Sequence, residues 1–243
     1  MCDNIGMNIS EAKASAVREM FSAIAYRYDF LNHFLSLGID ITWRKKAVRE
    51  FADMEGENFL DVACGTGDMS IELVKASHKS ARVTGIDFSP EMVKIGQDKM
   101  ERRGLKDRID LDIGDALDMR FGDDFFDGSM CAFGVRNFAE LATGLKEMAR
   151  VIKPGGRMVI LEFATPTNRF IASLYKFYFT RILPLIGGMV SGKKQAYTYL
   201  PDSVYKFPTP KKLAQKMEEA GLCEVRFTRL TFGICAIHTG VKR

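Results

Sequence analysis

The segment "FLDVACGTGDMS", residues 59–70, constrains the fold more than any other part of the chain. Its apolar run leads into Asp61, and two glycines, Gly65 and Gly67, follow with one residue between them. This order predicts a β-strand that passes through a glycine-rich turn into a helix, the unit that holds nucleotide-like ligands in α/β proteins. We expect Gly65 to permit the tight turn and Gly67 to let a ligand approach the main chain.

The residues after this turn alternate between short β-rich apolar runs and longer segments with helical spacing. Strands are predicted at 58–63, 82–87, 109–114, 126–133 and 157–163, helices near 67–77, 89–103 and 138–150, and a helix-ending turn at 153–156. Two further segments, 223–230 and 234–241, predict a terminal antiparallel hairpin. Together they predict a doubly wound, Rossmann-like α/β fold with a seven-stranded sheet and helices on both faces.

We expect residues 1–243 to form a single domain, since no repeat or low-complexity linker interrupts the chain. A helical leader is predicted over about 10–55, and an insertion rich in basic and aromatic residues over 164–208. The apolar spacing of the insertion suits an amphipathic helix that covers the sheet as a lid. Both additions could cover the carboxyl ends of the strands, where open α/β sheets bind ligands.

The residue after the second glycine, Asp68, separates two candidate cofactor classes. A dinucleotide would place its pyrophosphate at the positive N-terminus of the helix that begins here, and a carboxylate would repel it. S-adenosylmethionine carries an ammonium and a sulfonium group instead of phosphate, so acids near the turn favour its binding. In addition, Ser70 replaces the third glycine of the dinucleotide fingerprint. The residues therefore favour S-adenosylmethionine over NAD.

Further acids follow the predicted strands. Asp61 ends the first strand and suits a cationic amino-acid group. Asp87 ends the second strand 20 residues beyond Gly67, the separation expected of an acid that binds ribose hydroxyls. Asp115 follows the third strand, where it is placed either to accept a hydrogen bond from an adenine amine or to cap a helix.

Composition limits the partners and the compartment. The five cysteines include no CxxC pair, which argues against disulfides or a zinc site, and we expect no metal. The longest uncharged stretch, Leu230–Val241, is shorter than the roughly 20 residues that span a bilayer. Residues 163–216 hold nine Lys and Arg against one acid. We therefore expect an anionic or membrane-surface partner, no nucleic acid, and a cytoplasmic protein peripheral to the inner face of the membrane.

Five separated segments form an ordered set of motifs. They are "YDFLNHFLSLGIDITW" (28–43), "FGVRNF" (133–138), "RVIKPGGRMVILEFA" (150–164), "YTYLPDSVYKFP" (197–208) and "LTFGICAIHTG" (230–240). In this order they resemble the C-methyltransferases of ubiquinone and menaquinone biosynthesis, the family commonly called UbiE or MenG. The resemblance runs from about Phe21 to the C-terminus. It implies the class I S-adenosylmethionine-dependent methyltransferase fold, and methyl transfer to a ring carbon of a demethylated prenyl quinol, either demethylmenaquinol or the benzoquinol of ubiquinone synthesis.

The same resemblance implies the cofactor contacts, which are the turn around Gly65 and Gly67 together with Thr66, Asp87, Asp115 and Ala116. Such a reaction must also stabilise a phenolate, because a deprotonated hydroxyl makes the acceptor carbon more nucleophilic. Arg136 is the first choice because a guanidinium keeps its charge when buried, and Asn137 lies beside it. The alternative for Arg136 is a structural pair with an acid. Tyr28, in the leader, is the expected proton relay or ring contact.

Three other functions stay open at this point. The first is a methyltransferase of the same fold that acts on a soluble small molecule, such as a phenol or a sterol-like acceptor. The second is an NAD-dependent oxidoreductase, which Asp68 and the missing third glycine disfavour. The third is a noncatalytic nucleotide-binding partner that scaffolds a quinone-synthesis complex. The sequence leaves two further choices open, between naphthoquinol and benzoquinol and between monomer and homodimer.

Overall fold

A computed structural model describes residues 18–20, 22, 25–26, 33, 36–54, 56–182, 185 and 194–243, with backbone only for 194–198. The strands are β1 (Asn58–Val62), β2 (Arg82–Asp87), β3 (Ile109–Ile113), β4 (Phe126–Ala132), β5 (Ile152–Phe163), β6 (Leu222–Leu230) and β7 (Cys235–Lys242). They form one seven-stranded sheet in the order β3-β2-β1-β4-β5-β7-β6. Strands β1 to β5 run parallel, and β7 is antiparallel to both β5 and β6. The predicted fold class and terminal hairpin are confirmed.

The helices connect the strands and cover both faces of the sheet. They are α1 (Ile39–Val48), α2 (Asp68–Ala76), α3 (Pro90–Arg102), α4 (Leu141–Arg150), α5 (Arg169–Phe177), α6 (Lys194–Lys206) and α7 (Pro210–Glu219). Side chains alternate between the faces of a strand, so neighbours in β1 belong to different buried clusters. Phe59 belongs to the cluster that contains Leu73 of α2, and Leu60 to the cluster that contains Leu145 of α4.

Two predicted boundaries are wrong, and both errors lie at turns. Residues 153–156, predicted to end a helix, lie inside β5 as a bulge, because the pairing with β4 passes from Phe126↔Ile152 to Gly128↔Arg157. Helix α4 begins at Leu141 rather than near 138, since a short 3-10 turn occupies the preceding residues Val135–Asn137. The other two predicted helices agree with α2 and α3 within one residue.

The leader and the insertion each contribute described helices. Helix α1 belongs to the predicted leader, whereas α5, the π-helical turn Tyr178–Ile182 and α6 belong to the insertion. The ring centroid of Trp43 in α1 lies 6.1 Å from that of Phe163, the last residue of β5. This helix therefore packs at the carboxyl edge of the sheet. Across the described ranges, no helix is both long and apolar enough to cross a membrane.

Candidate active site

The carboxyl ends of β1, β2, β3 and β4 surround a crevice at one edge of the sheet. Because β1 lies between β2 and β4, the crevice is at the point where the strand order reverses, the usual ligand position in such sheets. Ala63 after β1 and Phe133 after β4 both line it with positive φ angles of 53° and 59°. A left-handed backbone costs a non-glycine residue about 1–2 kcal/mol. Strain of this kind clusters at functional sites.

The leader helix forms a wall behind this part of the crevice. The ring centroid of Trp43 lies 6.2 Å from that of Phe133, and the guanidinium of Arg44 lies 5.4 Å from the Phe133 ring centroid. The Trp43 indole N–H also donates a 2.8 Å hydrogen bond to Thr231 Oγ1. These contacts fix α1 against the strained residue that lines the crevice.

The positive φ of Gly65 fits its predicted place in a tight turn, whereas the role predicted for Gly67 is wrong. Gly65 lines the crevice with φ 55°, and nothing lies within 4 Å of the position that a Cβ would take. A Cβ on Gly67 (φ 82°) would lie 2.7 Å from Met100 Cε and 3.1 Å from Leu111 Cδ1. Gly65 is therefore the glycine that opens the main chain to a ligand, whereas Gly67 lets the turn pack against α3 and β3.

Asp87, at the end of β2, lines the crevice with a buried carboxylate. Its Oδ2 accepts a 2.8 Å hydrogen bond from the Gly65 N–H, and its Oδ1 accepts one of 2.9 Å from the Ser89 N–H. Burial raises the pKa of Asp87 to about 6, although the backbone donors oppose this shift. Each carboxylate oxygen has two lone pairs, so Asp87 can hold the glycine turn and also accept from ligand hydroxyls.

Asp61 of β1 is fully buried and lies outside the crevice lining. Its Oδ2 accepts a 2.6 Å hydrogen bond from Ser70 Oγ of α2, whereas its Oδ1 has no hydrogen-bond partner among the described residues. Burial raises the pKa of Asp61 to about 7, against the opposing hydrogen bond of Ser70 and charge of Arg44. A buried carboxylate oxygen without a donor is costly and suits a nearby cation.

We expect Asp61→Asn to flatten the pH dependence of folding stability. The pKa of Asp61 is higher in the folded chain than the ordinary 3.8, so its contribution to stability is complete below pH 4 and is lost as pH rises through about 7. Between pH 5 and 8 the native protein should lose on the order of 2–3 kcal/mol more than the variant. Urea unfolding at both pH values measures this difference. Parallel pH profiles for the two proteins would contradict it.

Asp115 and Ala116 follow β3 and line the crevice beside the end of β2. Asp115 Oδ1 accepts a 2.8 Å hydrogen bond from the Leu117 N–H, and Asp115 forms an isolated β-bridge with Asp118. The carboxylate therefore stabilises a turn. The alternative prediction of a helix cap is wrong, since the next described helical residues are the 3-10 turn that begins only at Val135.

Asp68 and Thr66 belong to a charged network next to the turn, outside the crevice lining. Lys99 Nζ lies 2.8 Å from Asp68 Oδ1 and donates a 2.8 Å hydrogen bond to Thr66 Oγ1. His33 Nε2 of the leader lies 3.5 Å from Asp68 Oδ2. Burial tends to raise the pKa of Asp68, but the charges of Lys99 and Arg44 and the hydrogen bond from Lys99 act together against it, so that pKa is lowered. Lys99 therefore compensates the negative charge of Asp68, and Asp68 would repel a phosphate less strongly than the sequence alone indicates.

Arg136 lies in the short turn after β4, where it pairs with Glu162 of β5. Its Nη1 is 2.9 Å from Glu162 Oε1 and also donates to the carbonyl of Phe133, and both side chains are almost fully buried. Burial raises the pKa of Glu162, and the Arg136 charge opposes that shift. The structural pairing that the sequence left as the alternative is therefore present. This pairing is compatible with a catalytic role for Arg136, because Arg136 also donates to the carbonyl of Phe133, a residue that lines the crevice.

Asn137 lines the crevice beside this pair and accepts a hydrogen bond from a residue of the insertion. The Tyr199 hydroxyl of α6 donates a 3.1 Å hydrogen bond to Asn137 Oδ1. Tyr199 is a site residue that the sequence analysis missed, although it stands within one of the quoted C-terminal motifs. Tyr28, predicted as the relay, lies outside the described residues, so its prediction stays open.

Solved structures of S-adenosylmethionine-dependent methyltransferases have the same fold. One from Thermotoga maritima, described as a possible histamine N-methyltransferase, matches with a TM-score of 0.66 over 93% of this chain and 99% of that chain, at 17% identity. Another from Aquifex aeolicus has a TM-score of 0.58 over 82% and 89% of the two chains, at 21% identity. At such identities the likeness concerns the fold alone. It shows that the chain has the α/β fold of these methyltransferases.

Within this class, residues 7–242 match the model of the ubiE/COQ5 methyltransferase family, and the chain belongs to that family. A ubiquinone/menaquinone biosynthesis C-methyltransferase UbiE of Geotalea daltonii is 46% identical over 95% of this chain and 97% of its own length. A demethylmenaquinone methyltransferase of Thermus thermophilus is 46% identical over 91% and 99%. The prediction of an S-adenosylmethionine-dependent methyltransferase is confirmed, and the NAD-dependent alternative is excluded.

The crevice residues fit this cofactor. The open space at Gly65 admits a ligand to the main chain, and Asp87 offers acceptors suited to a ribose diol. Asp115 and Ala116 line the same crevice, and their contact with adenine stays a prediction. Asp61 lies outside the lining, so its contact with the cationic amino-acid end also stays a prediction, although its buried Oδ1 has no hydrogen-bond partner among the described residues. Gly67 and Thr66 stabilise the turn through their packing and hydrogen bond.

Proposed function

We propose that the protein transfers a methyl group to a ring carbon of a demethylated prenyl quinol, either demethylmenaquinol or the corresponding benzoquinol of ubiquinone synthesis. The names of the relatives and the family membership support this acceptor class. The observation that carries the proposal is the position of Asn137, which faces the cofactor crevice while Arg136 and Tyr199 converge behind it. Apolar side chains of Phe133 and Phe138 line the same region and suit an aromatic ring.

Bound S-adenosylmethionine supplies an electrophilic methyl group on a sulfonium. The acceptor carbon attacks more readily when the adjacent hydroxyl has lost its proton, and the ring regains aromaticity by losing the proton of the methylated carbon. The chain must therefore stabilise a phenolate and exclude water. Arg136 provides a permanent cation near that position, and Asn137 provides an amide whose orientation the Tyr199 hydroxyl fixes. Tyr28 stays a proposed proton relay.

The acceptor also sets the proposed location of the enzyme. A prenyl quinol dissolves in the bilayer, so we propose a cytoplasmic enzyme that binds transiently at the inner face of the membrane. The nine basic residues against one acid in 163–216 support attraction to anionic lipid. A homodimer is compatible with this proposal and is not required by it.

The test is a methylation assay with acceptors of both classes. Purified protein is incubated with isotope-labelled S-adenosylmethionine and reduced demethylmenaquinol or demethylated benzoquinol in detergent, and mass spectrometry locates the new methyl group. We expect the label on a ring carbon of one or both quinols. The oxidised quinone is the matched control, since it has no hydroxyl proton to lose and should give no product.

Two outcomes would contradict the proposal. Methylation of a small soluble phenol in preference to either quinol would support a same-fold enzyme for a soluble acceptor. Binding of S-adenosylmethionine without transfer to any acceptor would support the noncatalytic scaffold. Calorimetry with S-adenosylmethionine in the same preparation shows that the protein is competent to bind the cofactor.

A further inference from the structure

Helix α5 is apolar on two opposite sides. On one side, Tyr175 and then Phe179 in the following turn are buried against the sheet edge. On the other side, Phe170, Leu174 and Phe177 follow a helical i, i+4, i+7 spacing and are 78%, 61% and 56% exposed. A surface helix needs only one apolar side to pack on its own core. The second side of α5 therefore indicates contact with something outside the fold.

The tip of the β6–β7 hairpin adds another exposed aromatic residue next to this helix. Phe232 is 76% exposed and has a φ of 56°, a backbone conformation that is unfavourable for a bulky side chain. Arg229 donates a 3.2 Å hydrogen bond to the carbonyl of Thr165, in the segment that enters α5. The hairpin tip and the start of α5 are therefore held together, and each exposes an aromatic ring.

Both elements lie at the edge of the sheet that contains the crevice. Strand β5 ends at Phe163 before it enters α5, and its parallel neighbour β4 ends at the residues that line the crevice. A surface bound through α5 and the hairpin tip would therefore meet the edge where the acceptor must enter. Phe125 is also exposed, but it precedes β4 and therefore lies at the opposite edge of the sheet, away from the crevice.

The charges around these rings favour an anionic partner. Arg169, Lys176 and Arg181 are exposed along α5 and its following turn, and Arg229 is exposed beside the hairpin tip. The only acid between residues 163 and 216 is Asp202. Apolar side chains flanked by basic residues are the pattern of helices that lie in a membrane interface. A second copy of the chain would instead bring like charges together.

We propose that Phe170, Leu174, Phe177 and Phe232, together termed the docking face, insert into the surface of an anionic lipid bilayer. The basic residues attract the surface, and the apolar side chains hold the protein there. This inference rests on the proposed function only for its purpose, which is access to a quinol within the bilayer. Binding to lipid itself needs no acceptor, so failure of docking would remove the proposed membrane location and leave the proposed methyl transfer intact.

The experiment measures sedimentation of the full chain with vesicles. One set contains equal amounts of phosphatidylglycerol and phosphatidylcholine, and the other contains phosphatidylcholine alone. We expect binding to the anionic vesicles, weaker binding as salt rises because the charges are screened, and little binding to the neutral ones. Phe170→Gln with Phe177→Gln should weaken anionic-vesicle binding about tenfold or more, because less apolar surface leaves water. Phe125→Gln, at an equally exposed 56%, is the matched control and should have no effect.

A fluorescence measurement tests insertion directly. The native chain has one tryptophan, Trp43, which is buried, so Phe170→Trp adds a reporter at the docking face. Its emission should shift to shorter wavelength when anionic vesicles are added and should not shift in buffer. Methylation of a short-chain, detergent-free acceptor should be the same in all these variants, which separates this proposal from the proposed function.

Three results would overturn the docking proposal. Unchanged vesicle binding by the double glutamine variant would show that charge alone is sufficient. A dimer in sedimentation velocity that dissociates in the same variant, with no vesicle binding, would assign the face to a second copy. Absence of both vesicle binding and self-association would show that the face binds neither occupant.

Discussion

Asp87→Ala should bind S-adenosylmethionine at least tenfold more weakly than the native protein. The carboxylate lines the crevice, and two charge-assisted hydrogen bonds to ribose at about 1.5–3 kcal/mol each correspond to a tenfold loss or more. The structure adds a second cause, because Asp87 also holds the N–H groups of Gly65 and Ser89. Its removal should therefore loosen the turn as well as remove the contact.

A second variant separates these two causes. Asp87→Asn keeps the size of the side chain and one of the two acceptor oxygens but loses the charge and the second acceptor, so it should preserve the turn better than alanine. We expect its melting temperature and its cofactor affinity to lie between those of the alanine variant and the native protein. Asp110→Ala, at an exposed position in β3, is the control for loss of an aspartate outside the crevice. Calorimetry in which Asp87→Ala binds as tightly as the native protein would remove Asp87 from the site.

The parts of the fold that could be read from the sequence are those fixed by local pattern. The runs around Phe59 and Val159 are apolar because both faces of these central strands are covered, so their positions and parallel order follow from the sequence. Helix α7 was missed although its signals were present. Thr209 caps it by accepting from the Lys212 N–H, and Pro210 stands at its first position.

The site was less predictable because its contacts join residues far apart in the chain. Glu162 meets Arg136 only because β4 and β5 pair with Ala132 opposite Leu161, a register that no local pattern specifies. Tyr199 reaches Asn137 across 62 residues, and its position depends on the path of the insertion. The acids at strand ends were easier to find, since parallel strands bring their carboxyl ends to one edge. Even there, the sequence did not show that Lys99 compensates the charge of Asp68.

Arg136→Ala should lower kcat by about 10²–10³ while S-adenosylmethionine affinity changes little. The neutral quinol offers Arg136 a hydroxyl, whereas the reacting ring offers a phenolate, so the interaction strengthens as charge develops. Loss of one anion-stabilising donor has an effect of about this size. Arg136→Lys should recover only part of the rate, because lysine keeps the charge without the planar donor geometry. The assay needs a quinol kept reduced, and kcat must be measured separately from KM.

The buried partner of Arg136 complicates this variant and also provides its control. Removing Arg136 leaves Glu162 as an uncompensated buried carboxylate, a change that typically costs about 3–5 kcal/mol of stability. Glu162→Gln in the same chain removes that charge, so the double variant should melt at a higher temperature than Arg136→Ala. If Arg136 acts on the phenolate, kcat of the double variant stays low despite the recovered stability. Recovery of kcat together with stability would instead make Arg136 a structural residue, with Asn137 and its partner Tyr199 as the next candidates for the catalytic role.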